Sequence, residues 1–95
     1  MENCMEKYFD EIVRSTVGIL QFDSSLKEEV DGCPFGKETA DCLAYFLNLA
    51  KSMGFETRNY DNYAGEVVFG EGKDFAILAH LDVVPAGSGW KYPPF

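Results

Sequence analysis

The strongest constraint on the fold of this chain is an unbroken apolar run that ends in a histidine. Residues Phe75–Ala79 are all apolar, and His80, Leu81 and Asp82 follow directly. An apolar run without polar alternation is typical of a strand buried on both faces, as in the centre of an α/β sheet. We therefore predict a buried central strand over Phe75–Leu81.

Two helices and a pair of strands are predicted ahead of this central strand. Apolar residues recur at helical spacing over Cys4–Leu20, with Asn3 as a candidate N-cap, and this apolar stripe is expected to face the core. A second helix is predicted over Lys37–Met53, where Gly54 provides the stop. The order predicts an α/β fold, with two helices packed on a partial sheet around the buried central strand. The two further strands are Phe55–Tyr60 and Gly65–Phe69.

Size, apolar content and charge restrict the class of protein. A chain of 95 residues is one small domain or part of one, and 46% hydrophobic residues is too apolar for a disordered chain. So apolar a chain is also expected to need a partner surface. The formal net charge of -8 argues against nucleic acid and anionic membranes as partners. No apolar stretch approaches the roughly 18 residues of a membrane-spanning helix.

The cysteines and the acidic run offer no complete metal site. Cys4, Cys33 and Cys42 are odd in number and form no CxxC pair, which argues against a disulfide framework or a zinc ribbon. Reduced cysteines indicate a cytoplasmic protein. The run Glu28-Glu29-Val30-Asp31 is expected to be a solvated loop.

His80 and Asp82 carry the candidate chemistry. Side chains two apart in an extended segment project to the same face, and ligands gather at the C-terminal ends of strands in open α/β sheets. A neutral imidazole is the commonest metal ligand, and its other ring nitrogen needs an orienting carboxylate or carbonyl. One histidine does not complete a zinc site, which takes at least three protein ligands. A structural, hydrogen-bonded His80 remains the alternative.

The residues around this pair resemble a known peptidase signature. The segments that carry the resemblance are Ala76–Pro85, Gly87–Trp90 and Pro93–Phe95. They are similar to the first motif of the zinc aminoacylase/carboxypeptidase-type metallopeptidase family, closest to its carnosinase-like and Xaa-His dipeptidase branch. The resemblance implies that His80 is a zinc ligand and that Asp82 is the catalytic aspartate that holds this histidine. It also implies that Pro85 and Gly87–Trp90 form the loop that leaves the strand.

The resemblance further implies which parts of the enzyme this chain contains. Residues 1–95 correspond to the N-terminal part of a catalytic domain, without its remaining part and without the smaller inserted domain. The family's two-zinc site, for which cobalt and manganese are alternatives, takes a bridging aspartate, paired glutamates and further ligands from later motifs. The intact enzyme would hydrolyse small peptides with metal-activated water, whereas the 95-residue chain alone is expected to be inactive. A candidate partner is the remainder of its own catalytic domain.

Three hypotheses about function follow. The first is the N-terminal portion of an active dipeptidase. The second is a non-catalytic remnant or interaction module that binds a partner through an unfilled apolar surface. The third is a plain α/β domain in which His80 is structural.

Overall fold

The computed structural model describes residues 4–95, and regular structure occupies its first two thirds. Helix α1 spans Cys4–Leu20, helix α2 spans Lys37–Ser52, strand β1 spans Glu56–Tyr60 and strand β2 spans Ala64–Val68. Both predicted helices and both strands of the predicted pair are confirmed, to within about one residue at each boundary. The candidate N-cap Asn3 lies outside the described residues.

Helix α2 is the centre of the fold and ends as its sequence predicts. Gly54 has a φ of 94°, and its N–H donates to the Lys51 carbonyl while the Phe55 N–H donates to the Ala50 carbonyl. These two bonds define a Schellman motif, in which glycine relieves the strain of the left-handed residue after a helix. The buried apolar residues of the described chain all lie on this helix: Cys42, Leu47 and Ala50.

Strands β1 and β2 form an antiparallel hairpin that packs on α2. Glu56 pairs with Val68 at the open end and Tyr60 pairs with Ala64 at the turn. Asp61 and Asn62 have φ values of 54° and 62°, and the Tyr63 N–H donates to the Tyr60 carbonyl over 2.9 Å. Two central residues with positive φ give the type I′ geometry that matches the twist of a hairpin, and Asp and Asn tolerate this conformation.

The hairpin lies close to α2 at Gly65. A β-carbon at this position would lie 2.8 Å from Cδ1 of Leu43 and 3.0 Å from Cδ2 of Leu47. Glycine therefore lets the backbone of β2 lie directly on the leucines of α2. This contact fixes which face of the hairpin is covered.

The C-terminal end of helix α1 contacts α2, and the apolar stripe of α1 is left exposed. The ring centroids of Phe22 and Tyr45 lie 5.4 Å apart where the two helices meet. The prediction that the α1 stripe is core is wrong, because the described chain supplies no second layer against it. Six apolar side chains of the stripe are 43–63% exposed: Met5, Phe9, Ile12, Val13, Val17 and Leu20. Within residues 4–95, no helix combines the length and apolar character needed to cross a membrane.

The predicted buried strand over Phe75–Leu81 is wrong for this structure. The segment has no regular secondary structure, and Phe75 and Leu78 are 89% and 95% exposed. A central strand takes its backbone hydrogen bonds from two neighbouring strands and its cover from layers on both faces. In residues 4–95 the sheet has only the two strands of the hairpin, and neither pairs with this segment. The α/β character therefore rests on α1, α2 and the hairpin.

Candidate functional site

The structure brings the two predicted site residues into contact. Nδ1 of His80 lies 3.1 Å from Oδ1 of Asp82 and 3.0 Å from the Asp82 backbone carbonyl oxygen. Both oxygens are acceptors, so a neutral imidazole donates its hydrogen from Nδ1. This tautomer leaves the lone pair of Nε2 available, and no hydrogen bond from the described residues reaches Nε2. The pair therefore has the arrangement of a metal-binding imidazole with its orienting carboxylate.

The setting of this pair differs from the expected one. The side chains of His80 and Asp82 are 82% and 68% exposed, and no strand precedes them. Water screens an exposed pair, so the contact adds little to the stability of the fold. Its consequence is local, because it selects a tautomer and a ring orientation. A structural histidine buried in the core is not what the structure shows.

Ser24 is a further residue at the site and was not among the site residues predicted from the sequence. Its hydroxyl donates to the carbonyl of Leu81, the residue between His80 and Asp82, over 3.0 Å. Ser24 is 2% exposed and lies beside the buried thiol of Cys42. Burial raises the pKa of the Cys42 thiol, and a hydrogen bond from Ser24 opposes this increase. A contact between residues 57 positions apart leaves no local signal in the sequence.

The turn that carries Ser24 is stabilised by its own hydrogen bonds. Oδ1 of Asp23 accepts from the Ser25 hydroxyl over 2.6 Å and from the Ser25 N–H over 3.3 Å. The ammonium of Lys27 donates to the Asp23 carbonyl over 2.8 Å and lies 3.3 Å from Oδ2. The hydrogen bond from the Ser25 hydroxyl is the largest of the effects that lower the pKa of Asp23. The hydroxyl of Thr39, on α2, also reaches the Ser25 carbonyl at 3.4 Å.

The loop after the pair is closed by its tryptophan. The indole Nε1 of Trp90 donates to the Ala86 carbonyl over 2.8 Å, and Gly87 and Gly89 have φ values of 74° and 87°. The backbone of this loop therefore needs glycine at both positions. Pro85 and Gly87–Trp90 lie in a loop, as expected.

The donor set fits one part of a metal site. The open Nε2 of His80 suits a zinc ligand, and Asp82 suits its orienting partner. Nowhere in residues 4–95 do three or more His, Cys, Asp or Glu side chains come together as a group that could hold a metal ion. The acidic residues Glu28, Glu29 and Asp31 are exposed, as expected for a solvated loop. Cys33 and Cys42 are both unpaired thiols.

Comparison with known proteins gives relatives whose names all include the word dipeptidase. No protein-family model matches the chain. It is 44% identical over 89 residues to the Beta-Ala-Xaa dipeptidase of Lactobacillus delbrueckii subsp. lactis, which covers 90% of this chain and 19% of that protein. It is 38% identical over 89 residues to the putative dipeptidase YtjP of Bacillus subtilis strain 168, with the same coverage of both chains.

A third relative extends the match slightly. The putative dipeptidase of Staphylococcus epidermidis is 38% identical over 93 residues, which are 94% of this chain and 20% of that protein. The chain thus spans about a fifth of the length of the curated relatives it matches. The resemblance to the dipeptidases that the sequence predicted is confirmed. Over about nine-tenths of its length, this chain is similar to part of three bacterial proteins that are named as dipeptidases or putative dipeptidases.

Proposed function

We propose that this chain carries His80 as a metal ligand and Asp82 as the catalytic aspartate of a zinc-dependent dipeptidase. The observation that carries the proposal is the contact between Nδ1 of His80 and Oδ1 of Asp82, in a chain whose relatives are named dipeptidases. When bound, the two metal ions of such a site lower the pKa of water and polarise the scissile carbonyl. Zinc suits the imidazole, and cobalt and manganese are the alternatives.

The two side chains have separate tasks in this proposal. Asp82 keeps the hydrogen of the imidazole on Nδ1 and limits rotation of the ring. His80 then presents the lone pair of Nε2 to the metal. Because the Asp82 side chain is 68% exposed, its value lies in orientation and not in a strong ion pair.

The chain alone supplies too few ligands for catalysis. A zinc site takes three or more protein ligands, and residues 4–95 hold no such group. We therefore propose that further ligands and the general base come from outside these residues, and that the 95-residue chain is inactive. Its candidate partner is the remainder of a catalytic domain. The proposed substrates are small peptides, and the proposed location is the cytoplasm.

A second candidate is an interaction module without catalysis. The uncovered stripe of α1 favours it, because contiguous exposed apolar surface marks a site of protein association. A groove beside this stripe, between α1 and α2, adds to the apolar surface and is lined by side chains that include Phe46, Leu49 and Met53. The two candidates differ in what they require of His80, because a binding role through this face does not use its imidazole.

A chimeric enzyme separates the two candidates. Residues 1–95 would replace the matching segment of the Lactobacillus Beta-Ala-Xaa dipeptidase, and hydrolysis of a β-alanyl dipeptide would be measured with and without a chelator. We expect chelator-sensitive hydrolysis by the chimera and none by the 95-residue chain. His80→Ala should abolish activity, and Asp82→Asn should lower it by about 10- to 100-fold, as is usual for a residue that orients a ligand.

The control variant is Asp74→Asn, which removes an exposed carboxylate from the same segment. It should leave the activity of the chimera unchanged. Full activity of the His80→Ala chimera would show that His80 is not a ligand. Chelator-sensitive hydrolysis by the 95-residue chain would contradict the proposal that its own ligands are too few.

A further inference from the structure

The segment that carries His80 and Asp82 is tied to the helical part of the chain through one buried hydroxyl. Among residues 6–95, the bond from Oγ of Ser24 to the Leu81 carbonyl is the hydrogen bond that joins residues 70–95 to residues 6–68. The segment has no ladder of its own, and most of its apolar side chains are exposed, although Leu81 and Val83 are half-buried. The bond from Ser24 is therefore the polar contact that holds its backbone at Leu81.

The geometry gives this bond control over both site residues. The Leu81 carbonyl belongs to the peptide plane that joins Leu81 to Asp82, and His80 is the residue immediately before. Restraining this plane restrains the backbone from which the imidazole and the carboxylate both project. The bond between Nδ1 of His80 and the Asp82 carbonyl then closes a short ring over the restrained residue.

The Ser24 hydroxyl is itself held in place. Ser24 is 2% exposed, and its N–H donates to the Phe22 carbonyl over 3.0 Å. The neighbouring Cys42 sulfur is a weaker acceptor than a carbonyl oxygen, so the buried Ser24 hydroxyl favours conformations in which the Leu81 carbonyl meets it. The neighbouring turn is fixed by the hydrogen bonds of Asp23 with Ser25 and Lys27. The donor is thus preorganised, and the site segment, which has no regular secondary structure, supplies the acceptor.

We propose that Ser24 is a positioning residue that holds the Leu81 carbonyl and thereby places the imidazole of His80 and the carboxylate of Asp82 for metal binding. The statement that this placement serves metal binding rests on the proposed function. The placement itself does not, because the hydrogen bond from Ser24 to Leu81 exists without a metal. Ser25 offers a matched control, because it is also buried but donates to Asp23 and not to the site segment.

The test uses the 95-residue chain and measures order and zinc binding separately. Backbone order of residues 80–82 would be measured by ¹⁵N relaxation without metal. Zinc chloride would then be titrated while the ring signals of His80 are followed, which are unambiguous because the chain has one histidine. Variants are Ser24→Ala, the isosteric pair Ser24→Thr and Ser24→Val, and Ser25→Ala, with circular dichroism to confirm that the helices persist.

The expected result depends on whether the side chain at position 24 keeps its hydroxyl group. Ser24→Ala and Ser24→Val should lower the order parameters of residues 80–82 toward those of a flexible backbone, below about 0.6, and weaken zinc binding about tenfold. Ser24→Thr should stay within about twofold of the unsubstituted chain, a shift smaller than the tenfold effect expected of a ligand-orienting group. Ser25→Ala removes one hydrogen bond of the turn but keeps the Ser24 hydroxyl, so its effect should be smaller than that of Ser24→Val. The Thr and Val pair keeps the comparison valid even if Ser24→Ala unfolds.

Two outcomes overturn the inference. One is unchanged order at residues 80–82 in Ser24→Val, and the other is an equal loss in Ser24→Thr and Ser24→Val. Failure of the proposed function appears differently, as full activity of the chimeric enzyme that carries His80→Ala. The relaxation measurement still decides in that case whether Ser24 positions the pair.

Discussion

At the scale of single residues, the candidate site rests on one contact between near neighbours in the sequence and one contact between residues 57 positions apart. The separation of His80 and Asp82 by one residue predicted that the two side chains share a face, and their atoms lie 3.1 Å apart. This prediction succeeds even without a strand, because two side chains so close in sequence meet in several backbone conformations. The bond from Ser24 to Leu81 depends on how the whole chain folds back, and the sequence shows at Ser24 only a residue that favours turns.

The Asp23 carboxylate gives a prediction about acid stability. Its pKa is lowered in the folded chain, chiefly by the Ser25 hydroxyl, so its contribution to stability is present above the unfolded pKa of about 3.9 and is lost as the pH falls through the folded value. Asp23→Asn should therefore lower the denaturation midpoint at pH 7 but flatten its decline below about pH 4. Urea midpoints measured from pH 7 to pH 3 check this.

The control for this prediction is Asp31→Asn, which removes one negative charge from an exposed loop position. Its midpoints should run parallel to those of the unsubstituted chain. The same decline for Asp23→Asn and for the unsubstituted chain would contradict the role of Asp23.

At the scale of elements, local patterns predicted the helices and the hairpin but not the fate of the apolar run. The local sequence of helix α2 contains the signals that define it, an apolar stripe and a stop at Gly54, and its Schellman motif forms within six residues. The hairpin has a turn with Asp61 and Asn62 at its centre, although this turn type was not anticipated. The segment Phe75–Leu81 has the composition of a strand, but a strand exists only where another strand pairs with it.

The contact of the hairpin with α2 gives a prediction about packing. Gly65→Ala should lower the free energy of unfolding by up to about 2.5 kcal/mol, because overpacking costs about 1–3 kcal/mol and restricting the unfolded chain returns only roughly 0.4–1 kcal/mol. The added methyl group would meet Cδ1 of Leu43 and Cδ2 of Leu47. Urea denaturation measures the loss.

A double-mutant cycle tests the cause of this loss. In a Leu43→Val background the nearest methyl group is absent, so Gly65→Ala should cost less there than in the unsubstituted chain. Strictly additive costs would show that the methyl group does not meet Leu43. A gain in stability from Gly65→Ala alone would contradict the packing described for β2.

At the scale of the whole molecule, the chain combines a small core with much apolar surface. Composition predicted this shortage, because 46% hydrophobic residues is more than a chain of this size covers by itself. The structure shows where the excess lies, on the stripe of α1 and on Phe75, Ile77, Leu78 and Val84. Which segments are covered depends on three-dimensional neighbours, and composition alone does not identify them.

Amide hydrogen exchange gives a prediction at this scale. Protection should be greatest in α2, β1 and β2, where the hydrogen bonds lie over the buried residues, and close to that of an unfolded chain for residues 70–79. Exchange followed by NMR at pH 6 resolves both groups. Protection of Ile77 and Leu78 equal to that of Leu47 would show that the strand predicted from sequence does form.

The two-stranded hairpin has one more consequence. In the described chain each strand has a neighbour on one side only, so β1 and β2 both present a row of unpaired N–H and C=O groups. The same molecule holds Phe75–Ala79 in solvent, a stretch that lacks charge, proline and glycine. Such a stretch from one molecule can add to the open edge of another, and each addition exposes a new edge. Concentrated solutions of this chain therefore contain both features that fibrillar assembly requires, an open sheet edge and an exposed segment that can pair with it.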